Sequence, residues 1–337
     1  MAKPQTIDDL APSPRKHELT TVLNRQFFDA PPAENLSLKD LRRWRAFRAA
    51  YHKAQSLEVP GLFPLQVDFE LCSSCTMHCS FCTHGHTRVV PRRLPFSAFA
   101  NAIDEGQSHG LCSVKFNYIN EPLLVPNLAA HIEYARAHGV LNTYLATNGQ
   151  LLTEQRGREL IEAGLSKLMV SLDATTSETF MAMRQSHHFA MIVENVHAFI
   201  ALRNSMGCRY PFVRVNFLRT SVNQHELPGF IDQWSGKADM IGVQDCVAIP
   251  GVDSGAGHQN QRFQCSFPFK LVVVDSAGRI LPCCTFSGRE MPIGMVTNGS
   301  IGAAYQSQRA QSLRQQHIDG RLNLICQHCL GRSNTDL

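Results

Sequence analysis

No run of residues in this sequence approaches the roughly 18 apolar positions of a membrane-spanning helix. The residues after Met1 include no apolar segment of the kind that a signal peptide requires. The net charge of +4 is small and the cationic residues are dispersed, so no basic patch marks a nucleic-acid site. These absences predict a cytoplasmic protein that has no membrane or nucleic-acid partner.

Cysteine, in contrast, is abundant, with 12 among 337 residues. In a chain without an export signal, cysteines indicate metal binding or catalysis rather than disulfides. The length allows one large or two ordinary domains, and the 44% of hydrophobic residues can form a sizeable core. We therefore expect an oxygen-sensitive metalloenzyme.

Three of the cysteines form a C-x3-C-x2-C motif, Cys75, Cys79 and Cys82, with Phe81 directly before the third. Three thiolates on one loop can hold three corners of an iron–sulfur cubane. Because such clusters normally have four cysteine ligands, the fourth iron stays open for another ligand. Zinc is the alternative, but structural zinc sites favour paired C-x2-C spacings and close all four positions.

This motif resembles the signature of the radical S-adenosylmethionine (radical SAM) enzymes. The resemblance implies a [4Fe-4S] cluster whose open iron is chelated by the amino and carboxylate groups of SAM, with Phe81 beside the cofactor. It also implies that an electron from the cluster cleaves SAM to methionine and a 5′-deoxyadenosyl radical. An external one-electron donor such as flavodoxin or ferredoxin is then an expected partner.

The first 60 residues are expected to form an arm and a helix. Residues 1–36 contain five prolines and no sustained periodicity, which indicates an extended arm. Ser37 and Asp40 fit a capping box that opens a helix to about Ser56. Trp44 and Phe47 lie near one face, which should dock on the core, and the basic residues elsewhere on this helix are typical of a solvated face.

From residue 61 the chain alternates strand and helix patterns, which predicts βαβ units and a parallel sheet. Strands are predicted at 65–71, 113–119, 141–147, 167–172, 211–218 and 240–249, and helices at 128–137, 154–163, 191–206 and 227–234. Six such units resemble the partial (β/α)6 barrel of the radical SAM core. We therefore expect an α/β fold with a TIM-like partial barrel over residues 61–250, a linker at 251–260 and a small C-terminal module over 261–337. Active-site groups of such barrels collect at the C-terminal ends of the strands.

The turn after the second predicted strand contains Asn120, Glu121 and Pro122. The radical SAM family usually has Gly-Gly-Glu-Pro here, and the resemblance implies that Glu121 and its neighbouring backbone hold the SAM amino group. Ile119 and Asn120 replace the two glycines, so the backbone contacts, including those of Asn120, stay open. A solvated glutamate in a strand-end turn is the alternative.

Alternation along the fourth and fifth predicted strands directs polar side chains into the barrel lumen. Ser171 and Asp173 occupy positions that in the family approach the SAM ribose and methionine carboxylate. Arg214 can pair with a carboxylate, and Asn216 can meet ribose hydroxyls. Arg184 matches an arginine that follows the fourth strand in many relatives, although a surface arginine is the alternative.

The sixth predicted strand carries Cys246 on the same face as Gly242 and Gln244, toward the lumen. A thiol there can give a hydrogen atom to a substrate radical, which makes Cys246 the catalytic candidate. A small buried packing residue is the alternative. Three further cysteines without partner spacing, Cys72, Cys112 and Cys208, are expected to be structural.

The last module holds a second cysteine set, Cys265, Cys283, Cys326 and Cys329, around a predicted hairpin that turns at 276–278. These spacings resemble the SPASM auxiliary-cluster domain. The further cysteines of a full SPASM domain are missing, so the shorter "twitch" form with one auxiliary [4Fe-4S] cluster is implied. Cys284 can replace Cys283 as a ligand, and structural zinc is the alternative metal.

SPASM and twitch members of the family act on carbohydrates and cyclitols or on ribosomally made peptides. The lead-in before the barrel does not resemble the peptide-binding module of many peptide-modifying members. The sequence therefore favours an oxidoreductase or epimerase that acts on a sugar-like small molecule. A peptide maturase is the alternative enzyme, and an iron–sulfur or zinc scaffold is the non-enzymatic alternative.

Overall fold

The computed structural model describes residues 27–59, 61–245, 265–297 and 299–330. Its main helices are α1 (Leu38–Lys53), α2 (Phe96–Ser108), α3 (Leu128–Ala137), α4 (Glu154–Glu162), α5 (Ser177–Arg184), α6 (Phe189–Ser205), α7 (Leu227–Trp234) and α8 (Gln308–Ile318). Its strands are β1 (Gln66–Phe69), β2 (Ser113–Lys115), β3 (Asn142–Thr147), β4 (Lys167–Ser171), β5 (Phe212–Arg219), β6 (Met240–Asp245), β7 (Leu271–Val274), β8 (Arg279–Leu281) and β9 (Gly294–Met295). None of the helices in these ranges is long and apolar enough to cross a membrane.

The nine strands form one sheet in the order β6-β5-β4-β3-β2-β1-β7-β8-β9. Strands β1 to β6 are all parallel, and at least one helix precedes each of β2 to β6. This arrangement confirms the predicted α/β fold with a partial, TIM-like barrel. The predicted end of the sixth strand, residues 246–249, lies outside the described residues, as does the predicted linker at 251–260.

The C-terminal segment adds three strands to this sheet. Strand β7 pairs in parallel with β1, so that Val272 lies opposite Val67, and β8 and β9 follow in antiparallel order. The predicted hairpin turn is present, and Gly278 within it has a φ of +79° that favours glycine. The division into domains stays a prediction, but the described parts of the barrel and of the last module share one sheet.

The two faces of the parallel sheet differ in polarity. Side chains such as Val67, Leu145 and Val215 point outward and form the main core with the helices. The inner face instead carries polar residues, among them Asp68, Asn142, Lys167, Arg214 and Asn216. Parallel sheets are normally apolar on both faces, so a polar inner face indicates a functional lumen.

Aromatic side chains close the barrel at the N-terminal ends of its strands. Helix α1 begins after Ser37, whose hydroxyl accepts a hydrogen bond from the Asp40 amide at 3.0 Å, as predicted. Its Trp44 and Phe47 pack on Cys112 just before β2. Phe27 packs on inner-face side chains of β3 and β4. The lumen is therefore closed at this end, where Lys167 lies against the rings of Phe27 and Trp44.

Candidate active site

The first cysteine loop follows β1, at the C-terminal end of the strands. The Cys82 amide donates to the Cys79 carbonyl at 3.1 Å, and the Gly85 amide donates to the Cys82 carbonyl at 2.9 Å. A Cβ at Gly85 would lie only 2.7 Å from the Cys79 carbonyl oxygen, so glycine is needed for this close approach. Cys79 is buried, whereas Cys75 and Cys82 are half-buried.

The three thiols lie close to one another and to buried polar groups. Burial, with smaller contributions from the charges of Glu121, Cys79 and Cys82, raises the pKa of Cys75 to about 12. The Asn148 amide nitrogen lies 3.9 Å from the Cys75 sulfur. Thiols that resist ionisation in this way become ligands when a metal displaces their protons, which fits a cluster site better than a free reactive thiol.

Arg184 connects α5 to the cysteine loop. Its Nη1 donates to the Cys79 sulfur at 3.6 Å, its guanidinium lies 5.1 Å from the centre of the Phe81 ring, and it forms a buried ion pair with Asp173. Asp173 has a φ of +63° and also accepts a hydrogen bond from the Leu218 amide at 2.7 Å. A residue with a Cβ adopts that conformation at a cost of roughly 1–2 kcal/mol, so the fold holds Asp173 and Arg184 in place.

Glu121 is 1% exposed and is held by three hydrogen bonds. Its carboxylate accepts from the Leu123 amide at 3.0 Å, the Thr147 hydroxyl at 2.7 Å and the Asn148 amide at 2.8 Å. Burial raises the pKa of this carboxyl, and these three donors lower it in part. The arrangement fixes the turn against the end of β3 and leaves little of the carboxylate for a ligand.

The other predicted cofactor residues fall into two groups. Asn120 accepts from the Tyr118 amide at 2.8 Å and donates to the Cys72 sulfur at 3.5 Å, beside the cysteine loop. Ser171 and Asn216 lie opposite each other on β4 and β5. Arg214 points into the lumen one layer deeper, with its guanidinium 5.3 Å from the Phe27 ring. The structure therefore brings Arg184, Asp173 and Phe81 to the cysteine loop and places Arg214 toward the closed end.

The catalytic candidate Cys246 lies outside the described residues. A different thiol, Cys284, lies partly buried beside the inner face, where it packs with Tyr118, Leu271 and Val273. Among the charges around this thiol are those of Asp68 and Lys115. Sequence alternation could not have identified Cys284, since it comes from the last module rather than from a barrel strand.

The lumen beside Cys284 contains a hydrogen-bonded polar network. The Gln66 amide donates to Asp68 Oδ1 at 2.6 Å and to the Tyr144 hydroxyl at 2.7 Å. Asp68 is 1% exposed, and burial raises its pKa to about 6 although Lys115 opposes the shift. The half-buried Lys115 lies directly opposite Asp68 on β2. These residues were not predicted, because their significance depends on pairing between strands.

The second cysteine set lines one pocket. The predicted ligands Cys265, Cys283, Cys326 and Cys329 all contribute to it. Burial, with smaller contributions from the neighbouring thiols, raises the pKa of Cys265 and of Cys326 to about 12. Within the described ranges, no three His, Cys, Asp or Glu side chains converge closely enough for a single metal ion.

The shape of this cavity tests zinc against a cluster. Four sulfurs on one zinc ion lie about 2.3 Å from it and leave no interior space. Here the four thiols line one pocket whose apolar walls include Met291, Leu313 and Leu330, and within the described ranges they do not converge on a single-ion site. The residues present fit a four-cysteine iron–sulfur cluster.

Thr285 and Arg289 join the cavity to the barrel. The Thr285 hydroxyl lies 3.4 Å from the Cys283 sulfur and 3.6 Å from the Cys329 sulfur, and the Tyr118 hydroxyl donates to the Thr285 carbonyl. Arg289 forms an ion pair with Glu70, which is buried at the end of β1. The contacts of Thr285 with Cys329 and Tyr118, and of Arg289 with Glu70, also escaped prediction from sequence, since they link residues far apart in the chain.

Two family models match the segments that contain these sites. The model for the radical SAM superfamily matches residues 69–208, and the model for SPASM, an iron–sulfur cluster-binding domain, matches residues 265–330. The chain is 24% identical over 162 residues to the tungsten-containing aldehyde ferredoxin oxidoreductase cofactor-modifying protein of Pyrococcus furiosus. This alignment covers 47% of this chain and 45% of that protein. The chain spans about half the length of the curated relatives it matches.

Two solved structures resemble the fold. Streptococcus suis SuiB bound to S-adenosylmethionine gives a TM-score of 0.62 at 14% identity, covering 89% of this chain and 78% of SuiB. BtrN in complex with AdoMet and 2-DOIA gives 0.53 at 18% identity, covering 81% of this chain and 94% of BtrN. The matched domains imply SAM, a SAM-binding [4Fe-4S] cluster and an auxiliary iron–sulfur cluster as cofactors. The chain therefore carries a radical SAM domain over residues 69–208 and a SPASM domain over residues 265–330.

Proposed function

We propose that this radical SAM enzyme acts on a carbohydrate- or cyclitol-like small molecule and dehydrogenates or epimerises it at a carbinol carbon. The observation that supports the proposal is the polar inner face of the barrel. Asp68, Lys115, Ser171 and Asn216 line it with carboxylate, ammonium, hydroxyl and amide groups. Such groups match the donors and acceptors of a polyhydroxylated ring.

The first step of the proposed reaction depends on the cofactors, which the cysteines of the chain would hold in place. Cys75, Cys79 and Cys82 would hold the SAM-binding cluster, and Cys265, Cys283, Cys326 and Cys329 would hold one auxiliary cluster, as in the twitch form. When bound, these groups supply a 5′-deoxyadenosyl radical and a one-electron acceptor. Arg184, held by Asp173, presents a guanidinium beside Cys79 that suits the carboxylate of SAM. The remaining predicted contacts, from Asn120, Glu121, Arg214 and Asn216, stay part of this proposal.

Oxidation of a carbinol removes a hydrogen atom from carbon, a proton from oxygen and one electron. We assign the proton to Asp68. Within the described residues, Asp68 Oδ1 accepts a hydrogen bond from the Gln66 side-chain amide. The other carboxylate oxygen, Oδ2, can then accept the proton of a substrate hydroxyl. The raised pKa of about 6 still leaves it mostly ionised at neutral pH, as a proton acceptor must be.

Epimerisation would instead require a hydrogen atom from the opposite face of the substrate. Cys246 stays the proposed donor, because the neutral thiol has a weak S–H bond. We expect Cys246→Ala to abolish inversion while sparing SAM cleavage, and Cys112→Ala, buried under α1, is the matched control. A Cys246→Ala enzyme that turns over normally would assign the residue to packing and favour dehydrogenation.

The deciding experiment is anaerobic incubation of the reconstituted enzyme with SAM, dithionite and a panel of inositols, aminocyclitols and sugars in D2O, read by mass spectrometry. A dehydrogenase yields a product two hydrogens lighter, whereas an epimerase yields an isomer that has gained one deuterium. If no polyol stimulates 5′-deoxyadenosine formation and a peptide encoded nearby does, the enzyme is a peptide maturase. The peptide is tested because one solved structure of similar fold is SuiB bound to precursor peptide SuiA.

A further inference from the structure

A basic loop, defined as residues 87–93, leaves the first cysteine site and crosses the surface. Its three arginines, Arg88, Arg92 and Arg93, are all exposed. Val90 between them is 61% exposed, which makes it one of the more exposed large apolar side chains. Across the ranges that the structure describes, none of these three arginines forms a salt bridge.

Hydrogen bonds fix the basic loop to the chain that enters the cluster site. The Ser73 hydroxyl donates to the Val90 carbonyl at 2.9 Å and accepts from the Arg92 amide at 2.8 Å. The Ser73 amide donates to the Arg92 carbonyl at 3.1 Å. Ser73 precedes Cys75 by two residues, so their Cα atoms are at most about 7.6 Å apart. The backbone of the basic loop at Arg92 therefore lies beside the segment that leads into the first cluster ligand, Cys75.

The position matters because each reductive cleavage of SAM consumes one electron from outside the chain. Cys75 and Cys82 are only half-buried, and His78 between them is exposed, so this cysteine loop lies near the surface. An electron donor that docks here would approach the cluster more closely than one at α1, which lies at the opposite ends of the strands.

We infer that the basic loop is the docking surface for a small acidic electron-transfer protein of the flavodoxin class. Unpaired cations of one sign attract an acidic partner and accelerate its encounter, and Val90 offers an apolar contact at the centre of the patch. In the transfer the reduced flavin loses one electron and this chain gains it, with no other bond made or broken. The inference rests on the reductive chemistry of the superfamily and is independent of the proposed substrate.

The test compares two electron sources on the reconstituted holoenzyme. One is a purified acidic flavodoxin reduced photochemically, and the other is dithionite, which needs no docking surface. For the triple variant Arg88→Glu, Arg92→Glu, Arg93→Glu we expect 5′-deoxyadenosine formation with flavodoxin to fall about tenfold or more, and the dithionite rate to stay within about twofold. The rate of the unaltered enzyme with flavodoxin should fall as salt is added, and the variant should lose that dependence.

The matched control reverses charge elsewhere on the surface. Arg42 and Arg45 are exposed on α1, and Arg42→Glu with Arg45→Glu should leave both rates unchanged. A milder set, Arg88→Gln, Arg92→Gln and Arg93→Gln, guards against local misfolding and should give a smaller, selective loss with flavodoxin.

Two results would overturn the inference. If the charge-reversed loop keeps its full rate with flavodoxin, the donor docks elsewhere. If both variant sets lose the dithionite rate to the same extent as the flavodoxin rate while iron content is normal, the loop supports the site internally and docks nothing.

Discussion

The two cysteine sites of this chain are surrounded by opposite kinds of side chain. The first has three thiols and lies among charged and amide groups, namely Arg184, Asp173, Glu121 and Asn148. The second has four thiols in a cavity walled largely by Met291, Leu313 and Leu330. An incomplete ligand set with polar neighbours suits a zwitterionic ligand such as SAM, whereas a complete set with apolar neighbours suits a cluster that only exchanges electrons.

The strongest test of this difference between the two cysteine sites is to remove the cysteine ligands of each site in turn. Replacement of Cys75, Cys79 and Cys82 by alanine should lower the iron content from about eight to about four atoms per chain and abolish SAM cleavage. Cys265→Ala should remove the other cluster and product formation but leave uncoupled SAM cleavage. Iron analysis and 5′-deoxyadenosine assays measure both. SAM cleavage by the first variant would overturn the assignment of the open site.

Arg184 tests the polar surroundings of the first site. Arg184→Met leaves the Asp173 carboxylate buried without its partner, which should cost about 3–5 kcal/mol of unfolding free energy and weaken SAM binding. Adding Asp173→Asn should restore much of the stability but not the SAM binding. Chemical denaturation and the spectral response of the reduced cluster to SAM separate these effects.

A matched control for that pair is Arg156→Met, which breaks a partly exposed ion pair with Glu159 on α4. Its cost should stay below about 1 kcal/mol, with no change in SAM binding. If Arg184→Met is equally mild, the buried pair does not organise the cysteine loop.

How far the sequence predicts this molecule depends on whether a feature is local. The six parallel strands, the hairpin and the Ser37 cap follow from alternation and short-range chemistry, and they were predicted, although β2 ends at Lys115 rather than at residue 119 and β9 was missed. Helix α2 was not predicted, since it begins after Pro95, which cannot cap it with a side chain, and contains Gly106. The pairing of β7 with β1 was also missed, because nothing in either strand's sequence specifies a partner about 200 residues away.

The same distinction applies to the site residues. Both sets of cysteine ligands were visible as spacings. The contacts of Asn148 with Cys75 and of Thr285 with Cys329 were not, because each joins residues that are far apart in the chain. Glu121 was singled out from its motif, but only the structure shows that its carboxylate is already committed to three protein donors.

A pH profile sharpens the contrast between the lumen and the cluster sites. Burial raises the pKa of Asp68 to about 6, so its carboxylate is present above pH 6 and is lost as the pH falls. Product formation should therefore drop about tenfold per pH unit below 6, while SAM cleavage persists. Asp68→Asn should lower the product at every pH and remove this acidic limb.

The groups that face Asp68 do not account for such a limb. Lys115 lies opposite it on β2, and Tyr144, Tyr51 and Cys284 lie close enough for the Asp68 carboxylate to raise their pKa values. Burial raises the pKa of both tyrosines and of this cysteine, which moves their titration away from pH 6. A product profile that is flat from pH 7 to pH 5 would show that Asp68 does not accept the proton.

The smallest expected effect on the enzyme is that of replacing Thr285, whose hydroxyl lies near two thiols of the second site. Thr285→Val keeps the shape of the side chain but removes the hydroxyl near the Cys283 and Cys329 sulfurs, at a cost of about 1 kcal/mol in stability. A hydrogen bond to a cluster thiolate stabilises negative charge, so its loss should make the auxiliary cluster harder to reduce and shift its midpoint potential to a more negative value. Thr285→Ser, which keeps the hydroxyl, is the control and should leave the potential close to its original value. Redox titration followed by electron paramagnetic resonance resolves the two clusters, and an equal shift in both would contradict the separation of the two sites.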